Sequence, residues 1–250
     1  MEKISAVILT KNSSRLLREV LEALESLDEV VILDNGSNDS TLEIAKGFKN
    51  TSIHYHEFIG FGAMKKLGAN LAKNDWILTL DSDEIASKEL IDEIASLEFK
   101  PEYCYTYDVK NYFNGKHIYS CGWGNDRCIG LYHKQYFNFN TELVHESIIP
   151  LCNNPMQIFD LKGHISHYPY ENLESFLDKM QKYSTLFARE KYGKKSSVLK
   201  AITHSTWCFF KNYFLQKGIF QGYEGFVIAS YNAQTAFWKY LKLHAMNHKL

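Results

Sequence analysis

Cysteine is scarce in this chain and shows no sign of pairing. The 250 residues include five cysteines, an odd number, and no two of them form a C-x-x-C pair. This composition argues against a disulfide framework and against a zinc site. Because free thiols are the usual state in a reducing cytosol, we expect a cytoplasmic protein.

Long apolar runs are missing as well. A spanning helix needs about 20 apolar residues, whereas the longest uncharged stretch of the C-terminal region, residues 225–238, is shorter and includes polar side chains. The apolar run Ile4–Leu9 is too short for a signal peptide. We therefore expect a soluble protein, or one that binds peripherally to the cytoplasmic face of the inner membrane.

Acidic and basic residues nearly cancel but are unevenly distributed. The net charge is −1, yet residues 1–170 carry −8 and residues 171–250 carry +7. The basic region is also rich in aromatic residues, a composition typical of surfaces that lie on anionic lipid. A helical cap that buries its aromatics, or a homodimer contact, would explain it equally well. Nucleic acid is not an expected partner, since no nucleic-acid-binding motif accompanies the charge.

The first hundred residues alternate between strand and helix signals. Four short apolar runs are separated by segments whose apolar residues recur at helical spacing. Ser87 is a candidate N-cap, and Ser40 with Glu43 forms a capping-box pattern. Repeated units of this kind predict a mostly parallel, doubly wound α/β sheet. The four predicted strands are Ile4–Leu9, Val30–Leu33, Ile53–His56 and Trp76–Leu80.

The pattern of apolar and polar residues changes after Pro101. Tyr103–Phe113 alternates as antiparallel strands do, and Asn114-Gly115 is a strong hairpin signal. Ile129–Tyr132 predicts another strand, and helical spacing returns beyond residue 170. We expect a catalytic domain over residues 1–170, with halves 1–100 and 101–170, and a helical C-terminal region over residues 171–250. The first helix of that region should bury one face, formed by Phe176, Met180, Tyr183 and Phe187.

Acidic residues follow two of the predicted strands directly. Asp81-Ser82-Asp83 comes after Trp76–Leu80, and Asp34 ends the second strand and opens a polar loop. The carboxyl ends of parallel strands are where α/β sheets bind ligands. Paired acids there suit a divalent cation such as Mg²⁺ or Mn²⁺ on a phosphorylated ligand, and a loop entering a helix can hold a diphosphate. Taken alone, each feature is better explained by an ordinary capped turn.

Three segments follow one another in a recognisable order: Ile4–Asn12, Glu29–Thr41 and Trp76–Glu84. This order resembles that of family 2 glycosyltransferases, which have the GT-A fold, and the resemblance spans most of the chain. Five segments are similar to those of the subgroup that adds glucose to the inner core of lipopolysaccharide: Gly60–Lys66, Asp81–Glu84, Val144–Glu146, His167-Tyr168 and Lys239–Leu243.

The resemblance implies roles for a donor site. Asp83 would bind the metal, Asp81 would face the metal or the ribose, and His167 would be a late metal ligand. Lys66 would face phosphate or sugar, with a solvated helix lysine as the alternative, and a structural histidine is the alternative for His167. The remaining implied residues would border or contact the nucleotide, with Asp34 on the uracil: Thr10, Asn12, Asp34, Asp39 and Ser82.

The acceptor hydroxyl must lose a proton, which requires a base on the face opposite the diphosphate. Glu146 is the residue we predict for this role, with His145 as rival base or orienting residue. Asp126 would line the acceptor pocket and Trp123 would be a sugar platform, unless Trp123 is a core aromatic. The sequence departs from the subgroup at Gly130, where the subgroup usually carries an arginine. The identity of the acceptor could differ accordingly from that of the subgroup.

These expectations define a metal-dependent, inverting glycosyltransferase. It would move a hexose, with glucose as first candidate, from a UDP-sugar to a cell-envelope glycan or glycolipid such as lipopolysaccharide core heptose. A sugar-1-phosphate nucleotidyltransferase is an alternative, although that class usually has a Gly-rich, Arg-containing loop that Thr10-Lys11-Asn12 lacks. A non-catalytic sugar-nucleotide-binding scaffold is the second alternative.

Overall fold

The computed structural model describes residues 2–124, 126–141, 146–151 and 155–249. The chain divides into two compact units. The first unit comprises Met1–Val109 and Asp126–His167, and the second comprises Lys110–Asn125 and Tyr168–Leu250. Each unit has its own hydrophobic core, and the two are described separately.

Strands and helices alternate through the first hundred residues, as the sequence predicts. The strands are β1 (Ile4–Thr10), β2 (Glu29–Asp34), β3 (Thr51–Tyr55), β4 (Trp76–Asp81), β5 (Glu84–Ala86), β6 (Tyr103–Phe113), β7 (Lys116–His117), β8 (Asp126–His133), β9 (Phe137–Phe139), β10 (Ile148–Pro150) and β11 (Gln157–His167). The α-helices are α1 (Leu17–Ala23), α2 (Thr41–Lys46), α3 (Phe61–Leu71), α4 (Lys88–Ser96), α5 (Leu173–Glu190), α6 (Val198–Phe210) and α7 (Gly222–His248).

The first unit is built on a sheet with strand order β3-β2-β1-β4-β8-β6-β11-β5. The four strands β3, β2, β1 and β4 are parallel neighbours. Beyond β4 the sheet continues with antiparallel pairs, β4 with β8 and β8 with β6, and β5 with β11. A separate ribbon pairs β9 with β10. The β-α-β connections therefore account for the parallel half, and the aromatic segments after Pro101, together with β5, supply the antiparallel half.

Alternate residues of the parallel strands face two different cores. In β1, Ile4, Ala6 and Ile8 belong to the cluster that includes buried residues of α1 and α4, whereas Val7 belongs to the opposite cluster with α3 and β9. Strand geometry dictates this alternation, since successive side chains point to opposite faces. On the second face α3 lies very close to β1: a Cβ on Gly68 would stand 2.4 Å from Val7 Cγ1. Glycine is needed there for contact between the helix and the sheet.

Two predicted caps have different outcomes. Ser87 caps α4, since its hydroxyl accepts a hydrogen bond from the Leu90 N–H at 3.2 Å. Ser40 precedes α2 but makes no side-chain cap, so the predicted capping box is wrong. The neighbouring Asp39 takes that place, because its carboxylate accepts the Thr41 N–H at 3.0 Å.

The second unit is helical and includes the hairpin of β6 and β7. Asn114 and Gly115 form its turn with φ of 52° and 71°, the left-handed conformations that this two-residue turn requires, so the predicted hairpin is confirmed. Between α6 and α7 the chain forms a π-helical turn, Lys211–Leu215, and a 3₁₀ helix, Gly218–Gln221. The core of this unit joins hairpin and helices: Phe113, Ile118, Cys121, Phe176, Ile228 and Ala229.

The buried face of α5 differs from the predicted one. Phe176 and Met180 are buried as expected, but the stripe continues through Ser184 and Ala188, and Tyr183 is half exposed. The physical reason is a set of hydrogen bonds between α5 and Lys242 of α7. Lys242 Nζ donates to Ser184 Oγ at 2.9 Å and also bonds Gln181 and Thr185. A small hydroxyl at 184 satisfies this ammonium group, which the tyrosine ring at 183 could not do.

The boundary between the units also differs from the prediction. Residues 110–125, expected in the catalytic domain, pack within the second unit because Phe113, Ile118 and Cys121 belong to its core. The C-terminal unit begins at Tyr168 rather than at residue 171. In the part of the chain that the structure describes, no helix is both long and apolar enough to span a bilayer.

Candidate active site

Three strand ends meet at one edge of the first unit's sheet. Thr10 of β1 is paired with Asp34 of β2, and Leu9 of β1 with Asp81 of β4. The loops that follow these strands carry most of the predicted donor-site residues. The sheet therefore brings together segments that are far apart in the sequence, at the edge where α/β proteins bind ligands.

Asp34 organises the loop after β2. Oδ1 accepts the hydroxyls of Thr10 at 3.0 Å and of Ser37, and Oδ2 accepts the N–H groups of Gly36 at 2.8 Å and Ser37 at 2.9 Å. Burial alone would raise the pKa of Asp34, but these hydrogen bonds outweigh it and lower the pKa. A carboxylate has about four acceptor positions, so all of them are used within the chain. The predicted uracil contact would require an exchange of one of these bonds.

Asn12 and Asp39 tie the first two loops together. Asn12 has a φ of 53°, and its side-chain oxygen accepts the Asn38 N–H at 2.9 Å. Asp39 accepts the N–H of Thr41 and, at 3.2 Å, that of Ser14. Hydrogen bonds from Thr41 and Ser14 hold the pKa of Asp39 well below its ordinary value. Both residues thus lie at the predicted nucleotide edge and shape it through backbone contacts.

The acid turn after β4 is attached to the same network. Ser82 Oγ is 2.8 Å from Ser13 Oγ, and Ser13 N–H donates to Thr41 Oγ1 at 2.7 Å. The Asp81 N–H donates to a carboxylate oxygen of Glu84 at 2.8 Å. Burial, and next the charge of Asp81, raise the pKa of Glu84 to about 8. Glu84 therefore supports the turn from inside.

Lys65 is the residue of this site that the sequence analysis did not single out. Its Nζ lies 3.2 Å from Asp81 Oδ1 and 3.8 Å from Glu146 Oε1, and its side chain is only 13% exposed. Burial alone would lower the pKa of Lys65, but Asp81 and Glu84 outweigh it and raise the pKa. The ammonium group also stands 5.5 Å from the centre of the Phe139 ring.

The predicted lysine, Lys66, is the next residue along α3. It is partly exposed and forms no ion pair with any residue that the structure describes. Successive residues of a helix point about 100° apart. The phase of α3 against the sheet therefore brings Lys65, and not Lys66, to the acids. The predicted contact of Lys66 with phosphate or sugar stays a prediction.

Glu146 reaches the cluster because α3 lies very close to its segment. A Cβ on Gly62 would stand 2.3 Å from the Asn140 carbonyl oxygen and 3.1 Å from Glu146 Cβ. Glycine at position 62 is what allows this approach. The Glu146 carboxylate remains 28% exposed, so it is accessible to a ligand. The predicted rival His145 lies outside the described residues.

Asp83 and His167 form the part of the site with metal-ligand chemistry. β11 pairs His167 with Glu84, and His167 Nε2 lies 3.8 Å from Asp83 Oδ1. Two ligands of one ion at about 2.1 Å each can be at most about 4.2 Å apart, and neighbouring ligands of an octahedral ion lie about 3.0 Å apart. The pair is therefore within reach of a shared Mg²⁺ or Mn²⁺ once the two side chains move slightly closer. Among the described residues, no group of three or more acidic, histidine or cysteine side chains could hold a metal. Two protein ligands suit a cation that also binds substrate phosphates.

The side chain of Tyr107 explains why position 130 is a glycine. A Cβ at this position would stand 1.9 Å from Tyr107 Oη, and that hydroxyl donates to the Thr79 carbonyl oxygen at 2.9 Å. The buried tyrosine fills the space beside the strand, so no larger side chain fits. Arg127, three residues earlier, is bound to Asp108 at 2.9 Å and to Asp160 at 2.7 Å. It therefore braces β8 against β6 and β11.

The two predicted acceptor residues lie in different units. Asp126 is exposed at the start of β8 in the first unit. Trp123 belongs to the second unit, where it stacks on Tyr170 with 5.7 Å between ring centres and on Phe176 at 6.3 Å. These contacts match the core-aromatic alternative for Trp123.

Comparison with known proteins identifies the family. Residues 5–152 match the family described as glycosyl transferase family 2. The chain belongs to this family. This membership and the α/β architecture confirm the predicted fold class, and the chain is a glycosyltransferase. The nucleotidyltransferase alternative belongs to a different family and is set aside.

Relatives cover nearly the whole chain. A protein of Rickettsia felis named as an uncharacterized glycosyltransferase is 31% identical, over 97% of this chain and 90% of the relative. LpsC of Rhizobium meliloti, named as a lipopolysaccharide core biosynthesis glycosyltransferase, is 25% identical over 96% of this chain and 92% of its own length. Among solved structures, S. aureus TarS 1–349 in complex with UDP-GlcNAc is 14% identical with a TM-score of 0.49, covering 99% of this chain and 91% of that one.

Proposed function

We propose that this family 2 glycosyltransferase moves a hexose, with glucose as first candidate, from a UDP-sugar to a cell-envelope glycan with inversion. The acceptor class we propose is lipopolysaccharide core, with a heptose as the receiving sugar. The observation that carries the proposal is the bridge formed by Lys65. It joins Asp81, at the acid turn, to Glu146, which is far away in the sequence.

The bridge supports a division of labour within one site. Asp81 and Asp83 mark the end where a diphosphate would lie, beside the loops held by Asp34 and Asp39. Departure of the nucleotide leaves negative charge on the diphosphate, and the proposed role of the Lys65 ammonium group is to stabilise that charge. Glu146, on the other side of Lys65, is the proposed base that accepts the proton of the acceptor hydroxyl.

Asp83 and His167 would hold the metal, with Asp81 beside them. A bound Mg²⁺ or Mn²⁺ supplies Lewis-acid stabilisation of the leaving diphosphate. The support for this assignment is the 3.8 Å separation of the two ligand atoms. The donor set of carboxylate and imidazole suits Mn²⁺ well, since carboxylates favour Mg²⁺ and Mn²⁺ and imidazole favours transition metals.

The acceptor class rests on likeness of sequence. LpsC, which is named for lipopolysaccharide core biosynthesis, aligns with almost the full chain. The proposed acceptor residue Asp126 is exposed on the first unit. Because Gly130 and Tyr107 leave no room for the arginine that the subgroup usually carries, the acceptor sugar or its phosphorylation is where we expect this enzyme to differ.

A thermal-unfolding screen of UDP-, GDP- and TDP-sugars, with and without Mn²⁺, tests the donor and the metal together. A ligand at a hundred times its Kd stabilises the native state by about 2.7 kcal/mol, which corresponds to roughly 5–10 °C for a chain of this size. We expect UDP-glucose to give this shift only with Mn²⁺. Asp83→Asn should lose the metal-dependent part, and Asp92→Asn, an exposed acid on α4, should keep it.

Each outcome bears on a separate part of the proposal. Equal shifts in Asp83→Asn and the parent chain would remove the metal assignment. A larger shift with GDP- or TDP-sugars would reassign the donor. Donor binding without transfer to lipopolysaccharide core fragments, under metal-loaded conditions, would remove the proposed acceptor class.

A further inference from the structure

The second unit presents an aromatic surface to solvent. Six aromatic side chains within twenty residues are each between 44% and 74% exposed. We call this set the aromatic surface: Trp207, Phe210, Phe214, Phe220, Tyr223 and Phe226. Large aromatic side chains are normally buried on folding, and clusters of exposed ones mark binding surfaces.

Ring contacts make the main part of this surface continuous. Ring centres lie 5.9 Å apart for Trp207 and Phe210, and 5.3 Å apart for Phe210 and Phe214. The half-buried Tyr213 bridges Phe214, at 5.2 Å, to Phe226, at 5.9 Å. The surface is therefore one patch that spans the end of α6, the π-helical turn and the start of α7.

The backbone beneath the patch is held firmly. Asn212, in the π-helical turn, donates to the Cys208 carbonyl oxygen at 2.7 Å and accepts from Asn232 of α7 at 2.9 Å. Gly218 and Gly225 allow the 3₁₀ helix to contact α7, since a Cβ on Gly225 would stand 2.0 Å from the Gly218 carbonyl oxygen. The rings are thus presented by a fixed scaffold.

The segment that carries most of the patch is basic. Residues 191–223 include six lysines and no aspartate or glutamate. Lys211 and Lys217 are exposed within the patch itself. Glu224, the first acid after this segment, is paired with Lys116 at 3.3 Å. A partner for this surface must therefore be apolar and negatively charged.

We propose that the aromatic surface binds the interface of an anionic lipid bilayer, with Lys211 and Lys217 at the level of the lipid phosphates. Tryptophan and tyrosine favour this interface because each has an apolar ring and a polar group. Lysines beside them gain from the negative surface potential. A second copy of the chain fits less well, because a two-fold contact apposes two copies of the same positively charged surface. The inference needs neither donor nor metal, so it stands apart from the proposed function.

Co-sedimentation with vesicles tests the proposal on the full chain without nucleotide. One set of vesicles contains phosphatidylcholine alone, and the other contains phosphatidylcholine mixed with phosphatidylglycerol. We expect binding to the mixed vesicles that weakens as salt is raised, and little binding to phosphatidylcholine. Absence of binding to the mixed vesicles would overturn the proposal.

Paired variants separate the apolar and the electrostatic contributions. Trp207→Ser with Phe220→Ser removes two exposed rings and should lower the partition coefficient roughly 10-fold or more. Leu173→Ser with Leu177→Ser removes two exposed apolar side chains from α5, among acidic neighbours, and should leave it unchanged. Lys211→Glu with Lys217→Glu should abolish the preference for anionic vesicles, whereas Lys46→Glu with Lys49→Glu should preserve it.

Thermal unfolding of each variant checks the fold, and we expect melting temperatures close to that of the parent chain because the substituted positions are exposed. Equal losses in the α5 control would show that binding is not specific to the aromatic surface and would overturn the assignment. A concentration-dependent dimer that Trp207→Ser with Phe220→Ser disrupts, without vesicle binding by the parent chain, would assign the surface to a second copy instead.

Discussion

Lys65 lies among three carboxylates, and its removal is the sharpest single-residue test of the site. Lys65→Met keeps the length of the side chain but leaves Asp81 and Glu146 without their shared cation. Removing one preorganised charged donor from a catalytic site typically costs about 10²-fold in rate. We therefore expect kcat/KM of Lys65→Met to fall by about 10²-fold in a transfer assay with the donor identified by the unfolding screen.

Lys66→Met is the matched control, one residue along the same helix. It removes the same charge from α3 but no ion pair with a described residue, so its kcat/KM should stay within about 3-fold of the parent value. The melting temperature of both variants should be measured, so that a folding defect is separated from a catalytic one. Similar losses in the two variants would contradict the role we assign to Lys65.

Glu146 allows the base to be tested separately from donor binding. Glu146→Gln keeps the shape of the side chain but cannot accept the proton of the acceptor hydroxyl. We expect turnover to fall at least about 10²-fold, while the thermal shift given by donor and Mn²⁺ is retained. Turnover close to that of the parent chain would transfer the role to another group, with His145 as the next candidate.

At the scale of elements, Glu29 fastens the opposite edge of the parallel sheet. Its carboxylate accepts the Ser5 hydroxyl of β1 at 2.7 Å and the Lys73 N–H before β4 at 2.7 Å, and Ser52 of β3 at 3.3 Å. Burial would raise the pKa of Glu29, but these hydrogen bonds outweigh it and lower the pKa. The charged form of Glu29 therefore stabilises the junction of all four parallel strands.

Urea unfolding measured over a series of pH values tests this role of Glu29. Since the pKa of Glu29 is lower in the folded chain, its contribution is complete above the unfolded value of about 4.3 and is lost as pH falls through the folded value. Glu29→Gln should lower the free energy of unfolding by about 1–3 kcal/mol at neutral pH. This gap between the variant and the parent chain should disappear in acid. Glu25→Gln, an exposed control, should show no gap. A gap independent of pH would contradict the assignment.

Elements of the parallel half could be predicted because local pattern and tertiary environment agree there. Strands such as β1 and β2 are continuous apolar runs, as strands buried on both faces must be. The acid turn and Asp34 could be placed at one edge for the same reason, since parallel strands end together. The hairpin at Asn114-Gly115 followed from turn chemistry alone.

The residues that could not be predicted depend on contacts between distant segments. Lys65 rather than Lys66 faces the acids because of the phase of α3 against the sheet, and Gly62 allows α3 to approach the Glu146 segment. Ser184 rather than Tyr183 is buried because Lys242, on a different helix, needs oxygen acceptors. Neither helix carries a local signal that would distinguish the two neighbouring positions.

At the scale of the whole molecule, the first unit is interrupted by a segment that packs elsewhere. Residues 110–125 leave the sheet after Val109 and return at Asp126, and these two residues are paired across β6 and β8. A short turn can therefore replace the whole segment without disturbing the sheet. Asn-Gly is the natural choice, because a two-residue turn of this type closes antiparallel strands.

We expect residues 1–109 joined through Asn-Gly to residues 126–167 to fold as a cooperative unit and to be stabilised by UDP with Mn²⁺. The uninterrupted fragment 1–167 should aggregate instead, because it exposes Phe113, Ile118 and Cys121, all at most 2% exposed in the full chain. Near-ultraviolet circular dichroism and thermal unfolding distinguish the two fragments. If the joined fragment were unfolded while the full chain melted in one transition, the core of the first unit would be insufficient by itself. The nucleotide site would then require the C-terminal helices for its stability, and the predicted independence of the first unit would be wrong.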